Sequence, residues 1–221
     1  MCALYTLRIN YQELLNSFGL PLAPVPPMDD LDHRFLPHQE APIFRKRKDQ
    51  YMLEPMNFSL IPAWSKERRP KFATHNARLE TLREKPTWKR PLVSQHCLVP
   101  ISEFIEPIYE GPHAGHMVGF STPSSPVLWA AGLWDEWIDA ASGLIIPSFT
   151  IITHEPSPFV REMGHDREPL FLSSETFRPW LDAQEKNSTD WIEFLKNSHR
   201  EPELKTREDR KLKGTTTPKK T

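Results

Sequence analysis

Proline is the residue that most restricts how this chain can fold, since it accounts for 23 of the 221 residues. Proline fixes φ and lacks a backbone N–H, so it ends helices and is excluded from most central strand positions. We therefore expect many short elements joined by stiff turns. The length suits a single folded domain.

Short strands dominate the predicted elements. After a first strand and a helix, the segments between the turns are β-branched and aromatic and are bounded by Gly, Pro or Ser. They read NFSLIPAW, HCLVPISEFIEPIYEG, GHMVGFST, PVLWAAGLWDEWI, LIIPSFTIITH and REPLFL. The chain is therefore expected to be rich in strands, with few helices.

Three segments have the spacing of short helices. NYQELLNSFGL has Asn10 as an N-cap and Gly19 as a stop, SSETFRPWLD has Ser174 as a cap, and STDWIEFLKN carries one apolar stripe. Beyond about residue 197 almost no apolar residue remains, so ordering this segment would cost more entropy than burial returns. We predict a folded domain over residues 1–197 and a disordered basic tail over residues 198–221.

Charge and cysteine content limit the functional classes. Residues 44–95 carry thirteen Lys or Arg against five Asp or Glu, a net charge of +8, whereas residues 101–190 carry four against fourteen, a net of −10. This asymmetry suggests one cationic face. The two cysteines, Cys2 and Cys97, have no metal-ligand spacing, so neither a disulfide scaffold nor a structural metal site is expected. No segment resembles a signal peptide or a membrane span, which favours a cytoplasmic protein, nuclear in a eukaryote.

Cys2 is the residue with the most distinctive chemistry. If Met1 is removed, the mature chain begins with an α-amine whose reference pKa is about 7.7–8.0 and with a thiol close to it. The amine can attack an aldehyde to form an imine, and the thiol can then add to that imine to close a five-membered thiazolidine. The alternative is that Met1 stays and Cys2 is a small buried residue of an edge strand.

Three further residues are candidates for proton transfer or orientation. Asn76 in THNARLETL can donate and accept hydrogen bonds, or it can cap a helix. Glu106 ends an apolar run, where burial would raise the pKa of its carboxyl, unless it is an exposed acid at a strand end. His165 in MGHDREPLFL precedes a strand and could donate a proton near neutral pH, or it could be an ordinary turn histidine.

Basic and aromatic residues could bind nucleic acid between residues 44 and 90. The stretch FRKRKDQ and the later basic residues can track a phosphate backbone, with Trp64 and Trp88 as stacking surfaces. A charge run of this kind can equally be a solvated face. The candidate DNA-binding residues are Arg45, Lys46, Arg47, Lys48, Trp64, Arg68, Arg69, Lys71 and Arg78.

Several separated stretches together resemble the SRAP family, the SOS response-associated peptidase domain proteins that crosslink to abasic sites in single-stranded DNA. They are the N-terminal MC, then SLIPAW, NARLET with KPTW, HCLVPISEFIEP, AGLWDEW with TIIT, and HDREPLFL, in the order of the family. The resemblance implies an α+β fold, a single domain on a distorted antiparallel β-barrel with short peripheral helices. It also implies a DNA groove that leads to the N-terminal cysteine.

The resemblance assigns roles to individual residues. Cys2 would be the nucleophile that forms the thiazolidine crosslink and so protects the lesion, Asn76 would orient it, and Glu106 and His165 would transfer protons. Arg78 would hold the phosphate beside the lesion, and Trp64 or its neighbours would stack on adjacent bases. The partner would be single-stranded DNA with an abasic site, bound by a monomer without a cofactor or a metal.

The sequence departs from the family in regions expected to face DNA. Ala3 and Leu4 replace a usual Gly and Arg, Phe58 and Ser59 stand where the family tends to have Trp and Gly, and Glu168 replaces a usual Met. These changes affect DNA affinity more than the chemistry. Two other functions remain open at this point, an N-terminal-nucleophile cysteine hydrolase acting on an amide, and a non-catalytic nucleic-acid-binding module that keeps Met1.

Overall fold

In the computed structural model the chain forms a closed five-stranded β-barrel beside a second, antiparallel sheet, with short helices around them. The structure describes residues 3–25, 29–183 and 188–212. Within these ranges the strands are β1 (Tyr5–Ile9), β2 (Leu31–Phe35), β3 (Glu40–Arg47), β4 (Gln50–Phe58), β5 (Asn76–Arg78), β6 (His96–Ile101), β7 (Glu103–Ile108), β8 (His116–Ser121), β9 (Leu128–Ile138), β10 (Ile145–His154), β11 (Glu168–Pro169) and β12 (Lys205–Lys211). The helices are α1 (Tyr11–Phe18), α2 (Pro86–Ser94), α3 (Pro158–Glu162), α4 (Ser174–Leu181) and α5 (Ser188–Ser198), and a 3-10 turn spans Leu79–Thr81.

The barrel is a ring in the order β10, β4, β3, β6, β9 and back to β10. Its pairs are antiparallel except β4 with β10, which is parallel. This confirms the predicted α+β fold on a distorted barrel, and the parallel pair makes the barrel mixed. Closure leaves the ring without a free edge, which removes the usual risk of edge-to-edge pairing.

Two segments pair with the C-terminal end of β10. The short strand β5 pairs with it in parallel, so that Arg78 lies opposite Thr153. Strand β11 pairs with the same residue in antiparallel fashion, with Pro169 opposite Thr153. The fold therefore brings the NARLE and HDREP segments, which are far apart in sequence, to one place.

The second sheet has the order β12, β8, β7, β1, β2, with antiparallel neighbours throughout. In it, Tyr5 of β1 lies opposite Phe104 of β7. The backbone N–H of Ile105 then donates to the carbonyl oxygen of Leu4 at 2.9 Å. Read toward its N-terminus, the chain therefore runs along β7 in the direction of Glu106.

Helix α1 forms as its sequence predicts. The side chain of Asn10 accepts a hydrogen bond from the backbone N–H of Glu13 at 3.1 Å, and Gly19 ends the helix with φ of 70°. Its buried Phe18 packs on Phe44, Trp129 and Phe177 in an aromatic cluster of the core. No helix in the described part of the chain is long and apolar enough to cross a membrane.

Two predictions about local structure are wrong, and one element was not predicted. The cap of helix α4 is Ser173 rather than Ser174, which is its first residue. The segment Glu40–Phe58 forms the β3–β4 hairpin, where the sequence showed mainly a basic stretch. The predicted disordered tail instead contains β12, which pairs along β8, while residues 213–221 lie outside the described part.

Strand β12 is held by charge, which explains why an apolar pattern could not reveal it. Arg207 donates to both carboxylate oxygens of Glu103, at 3.1 and 2.8 Å, although Glu103 belongs to β7. The pair reaches across β8 at Gly119, where a Cβ would lie only 2.2 Å from Glu103 Oε1. A larger residue there would displace the Glu103 carboxylate from this position.

Candidate active site

Glu106 and His165 form a buried pair at the centre of the candidate site. Glu106 lies on β7 and His165 follows helix α3, and His165 Nε2 is 3.4 Å from Glu106 Oε2. Their side chains are 1% and 7% exposed. The structure therefore brings together two of the residues that the sequence singled out. It also rejects the alternative of an exposed acid for Glu106, whereas His165 makes the backbone hydrogen bond of a turn histidine, to the Arg167 carbonyl oxygen at 2.7 Å, while it faces Glu106.

Burial shifts the pKa values of both groups. It raises the pKa of the Glu106 carboxyl to about 7, because the charged form loses its hydration. Burial also lowers the pKa of His165, although a hydrogen bond to the Arg167 backbone opposes this. At neutral pH the Glu106 carboxyl can therefore gain and lose a proton at little cost, which general acid–base catalysis requires.

Asn76 lies at the first position of β5 and is only 7% exposed. It sits opposite Ile151 of β10, and its Nδ2 donates to the carbonyl oxygen of His75 at 2.9 Å. It does not cap a helix, because the 3-10 turn begins later, after Arg78. The alternative capping role is therefore wrong, and Asn76 is an ordered polar side chain at the end of β10.

Arg167 is a residue of this region that the sequence analysis did not single out. Its guanidinium donates to both oxygens of Glu80, each at 3.0 Å, and to the carbonyl oxygen of Thr153 at 2.7 Å. The side chain is 9% exposed. The HDR motif contained this residue, but its partner Glu80 is distant in sequence and could not be inferred.

The predicted nucleophile Cys2 lies outside the described residues. The other cysteine, Cys97, is fully buried in β6, and burial raises the pKa of its thiol well above the usual range. A thiol with these properties is inert at neutral pH. Cys97 is therefore not an alternative nucleophile.

The departures from the family pattern have visible structural consequences. Leu4, which stands where Arg is usual, is 5% exposed and belongs to the apolar interior. Phe58 is fully buried against Tyr5 and Phe149, so it is not available for base stacking. Ser59 has φ of 138°, a conformation that favours glycine, the residue usual at that position.

Glu168 has also acquired a structural setting. It is 2% exposed, accepts a hydrogen bond from the Ser157 hydroxyl at 2.9 Å, and lies 3.4 Å from His154 Nε2. Burial raises the pKa of its carboxyl. The buried carboxylate is thus accommodated by polar neighbours rather than by solvent.

The candidate DNA-binding residues divide into two groups. Arg45 is 3% exposed, lies 2.5 Å from Glu54 and packs on the ring of Trp134 at 4.1 Å, so its assignment as a surface contact is wrong. Lys46 pairs with Asp182 at 3.3 Å. With Arg47 and Lys48, these residues lie at the hairpin end of β3 and β4, opposite the end at which Phe58 joins β10.

The predicted cationic face is therefore partly neutralised inside the fold. Besides the pairs of Arg45 and Lys46, Arg90 lies 3.9 Å from Asp135. Basic residues of the first half of the chain thus meet acidic residues of the second half. Trp88 is 4% exposed, which also rules it out as a stacking surface.

The second group lies on the Trp64 loop, defined as residues 63–73. Trp64 and Phe72 are 58% and 49% exposed. The basic residues of this loop are also exposed, and they are Lys66, Arg68, Arg69 and Lys71. Exposed aromatic rings among cations form the kind of surface that binds single-stranded nucleic acid.

The pKa values of two histidines, His38 and His75, are lowered. Burial lowers the pKa of His38, and the charge of Arg69 lowers it further. Burial likewise lowers the pKa of His75, with a smaller contribution from His38. Arg78, the last residue of β5, is also exposed.

The comparisons with known proteins agree with this architecture. The model of the SOS response associated peptidase (SRAP) family matches residues 1–210 of the chain. The chain therefore belongs to the SRAP family, which confirms the resemblance inferred from the motifs.

Relatives in bacteria and vertebrates carry a common description. The chain is 28% identical over 206 residues to the abasic site processing protein YoaM of Bacillus subtilis, a match that covers 88% of this chain and 85% of the relative. It is 29% identical over 175 residues to the abasic site processing protein HMCES of Xenopus tropicalis, covering 69% of this chain and 52% of that protein. A solved structure of a Bordetella bronchiseptica protein has the same fold, with a TM-score of 0.73, 24% identity and coverage of 95% of this chain and 100% of that one.

Proposed function

We propose that this protein processes abasic sites in single-stranded DNA and that it does so by forming a covalent crosslink through Cys2 after removal of Met1. The observation that carries the proposal is the buried Glu106 and His165 pair, whose nitrogen and oxygen lie 3.4 Å apart. Family membership and the names of the relatives support the substrate class.

The direction of strand β1 supports the identity of the nucleophile. The backbone of Leu4 is hydrogen-bonded to that of Ile105. One residue further toward the site, the N-terminal segment has Ala3 and β7 has Glu106. Antiparallel strands keep this register from one residue to the next. Cys2 directly precedes Ala3, so its amine and thiol are expected within reach of the Glu106 carboxyl.

The proposed reaction balances as one aldehyde, one amine and one thiol giving a thiazolidine and one water. The α-amine adds to the aldehyde carbon of the ring-opened sugar, and the hydroxyl of that adduct leaves as water to give the imine. The thiol sulfur then bonds to the imine carbon, and its proton passes to the nitrogen. The imine alone is open to hydrolysis, whereas closing the thiazolidine ring makes the product stable.

Glu106 and His165 divide the proton transfers in this scheme. Glu106 takes the proton that the α-ammonium must lose before attack and returns it when water leaves. His165 accepts the proton of the anomeric hydroxyl on Nε2 and delivers it to the ring oxygen as the sugar opens. Both steps need groups that gain and lose protons near neutral pH, and burial gives Glu106 a pKa of about 7.

The Trp64 loop and Arg78 are proposed to hold the DNA. The loop carries four exposed cations and two exposed aromatic rings, which suits contacts with phosphates and unpaired bases. Arg78 extends from the end of the strand that carries Asn76. We expect the DNA strand to pass from this loop to the Glu106 and His165 pair. A monomer of the protein should be sufficient for binding.

Incubation with single-stranded DNA that carries one abasic site tests the proposal. We expect a shifted band on a denaturing gel that survives heating, disappears with Cys2→Ala, and persists with Cys97→Ala as the matched control. Intact-mass measurement should show loss of Met1. A band that appears only after borohydride reduction would indicate a plain imine and contradict thiazolidine formation. Turnover of a small amide without any crosslink would instead favour the cysteine hydrolase.

A further inference from the structure

We propose that Arg167 and Glu80 are positioning residues, which fix the orientation and the tautomer of His165 for the reaction proposed above. The inference rests on the proposed function for its catalytic meaning, but the geometry that it concerns exists in the protein without DNA. It assigns a role to the ion pair between the buried Arg167 and the exposed Glu80, which no step of the proposed chemistry uses directly.

The first step is the hydrogen bond of His165. Its Nδ1 lies 2.7 Å from the carbonyl oxygen of Arg167 and 3.3 Å from the backbone nitrogen of the same residue. A ring nitrogen cannot donate and accept at once, and a carbonyl oxygen can only accept. The shorter contact therefore places the hydrogen of the neutral ring on Nδ1. This leaves the lone pair of Nε2 directed at Glu106, 3.4 Å away.

The second step is what holds the Arg167 backbone in place. The guanidinium makes two parallel bonds of 3.0 Å to Glu80 and one of 2.7 Å to the Thr153 carbonyl oxygen. Bidentate pairs of this kind are directional as well as strong. Displacing the Arg167 carbonyl would require breaking these bonds or straining the chain between carbonyl and guanidinium. The histidine is thereby held through its neighbour's side chain.

The third step is that the same pair joins both halves of the site. Glu80 lies in the 3-10 turn directly after β5, which begins with Asn76. Thr153, the third member of the arrangement, pairs with Arg78 on one side and with Pro169 on the other. One ion pair therefore fixes the distance between the segment that carries Asn76 and the segment that carries His165.

The alternative role for Arg167 is direct binding of a DNA phosphate. The two roles differ in the effect of Glu80→Gln, which keeps the shape of the side chain but removes its charge. If Arg167 binds phosphate, removing its competitor strengthens DNA binding and leaves the chemistry intact. If Arg167 positions His165, the crosslinking rate falls even when DNA is saturating.

The experiment measures single-turnover crosslinking at saturating abasic DNA for the wild-type protein, Glu80→Gln and Arg167→Met. We expect both variants to be slower by about tenfold or more, since small displacements of a reacting group have effects of this size. Arg161→Met is the matched control, because Arg161 is an exposed arginine that lies 4.0 Å from the equally exposed Glu155. Its rate should stay within about twofold of wild type, as for surface changes in general.

A readout independent of activity is the tautomer of His165 from its ¹⁵N chemical shifts in the DNA-free protein. We expect the hydrogen on Nδ1 in wild type and in Arg161→Met, and a mixture of tautomers in Glu80→Gln. The exposed position of Glu80 makes this variant the one that should fold if Arg167→Met does not. An unchanged tautomer together with an unchanged rate overturns the inference, as does tighter DNA binding by Glu80→Gln at an unchanged rate. Failure of the wild-type protein to crosslink overturns the proposed function but leaves the tautomer result to decide the positioning role.

Discussion

Replacing Glu106 by Gln is expected to stabilise the folded protein above neutral pH while it slows crosslinking. The carboxyl is 1% exposed, and burial raises its pKa from an ordinary value of 4.5 to about 7. Between these two values the folded state binds a proton that the unfolded state has released. The wild-type protein therefore loses stability as the pH rises from about 4.5 to about 7.

The size of this loss follows from the difference between the two pKa values. A tenfold change in an ionisation constant corresponds to about 1.4 kcal/mol, so the interval from 4.5 to about 7 amounts to about 3 kcal/mol. Glutamine has nearly the same shape and no ionisation. We compare the free energy of unfolding of Glu106→Gln with that of wild type. The difference between them should shift in favour of the variant by about 3 kcal/mol from pH 4.5 to pH 8.

Urea unfolding at pH 5, 6, 7 and 8 measures the effect. Glu84→Gln serves as the control, because Glu84 is exposed and its replacement should leave the pH dependence of wild type unchanged. Crosslinking by Glu106→Gln is measured in parallel and should be slower by about 10²-fold, the usual contribution of a general acid or base. Wild-type and Glu106→Gln stabilities that run parallel from pH 5 to pH 8 would refute the argument that burial controls this carboxyl.

Three further outcomes are expected. Ser59→Gly should raise the free energy of unfolding by about 1 kcal/mol in urea titrations, because glycine adopts the φ of 138° without strain. Arg207→Met should lower the free energy of unfolding by about 2 kcal/mol, because the buried Glu103 loses its two hydrogen bonds to Arg207. Adding Glu103→Gln should restore part of the loss, whereas additive effects of the two changes would contradict a direct pair. Neutralising the cations of the Trp64 loop should reduce the slope of log affinity against log salt by about 0.7 for each phosphate contact removed. Neutralising Arg47 and Lys48 at the far end of the hairpin should leave this slope unchanged. Equal effects would refute the division of the basic residues into two groups.

The sequence by itself determined the local elements and the types of chemistry. The strands around Cys97 and Trp129 have β-branched and aromatic runs bounded by turn residues, and helix α1 carries its own cap and stop at Asn10 and Gly19. These features depend on neighbouring residues, so pattern alone could predict them. The ordered set of family motifs likewise indicated the fold and singled out Glu106 and His165.

The tertiary structure decided which of these residues meet. The contact between Glu106 and His165 depends on the packing of the loop after α3 against the end of β7, where Gly164 lies close to Ile108 and Glu110. Local spacing does not reveal this packing. Charged residues show the same limit most clearly. A run of cations looks the same in the sequence whether its members face solvent or pair with acidic residues, as Arg45 pairs with Glu54.

The same reason accounts for strand β12 and for the Arg167 and Glu80 pair. An apolar pattern could not reveal β12, because its attachment to β8 uses backbone hydrogen bonds and the ion pair of Arg207 with Glu103. Such attachments gain their stability from a partner that only the folded chain supplies. Local sequence patterns thus determined the apolar strands, helix α1 and the reactive groups. The tertiary structure decided strand β12 and the partners of the reactive groups, since burial and charge pairing are properties of the assembled fold.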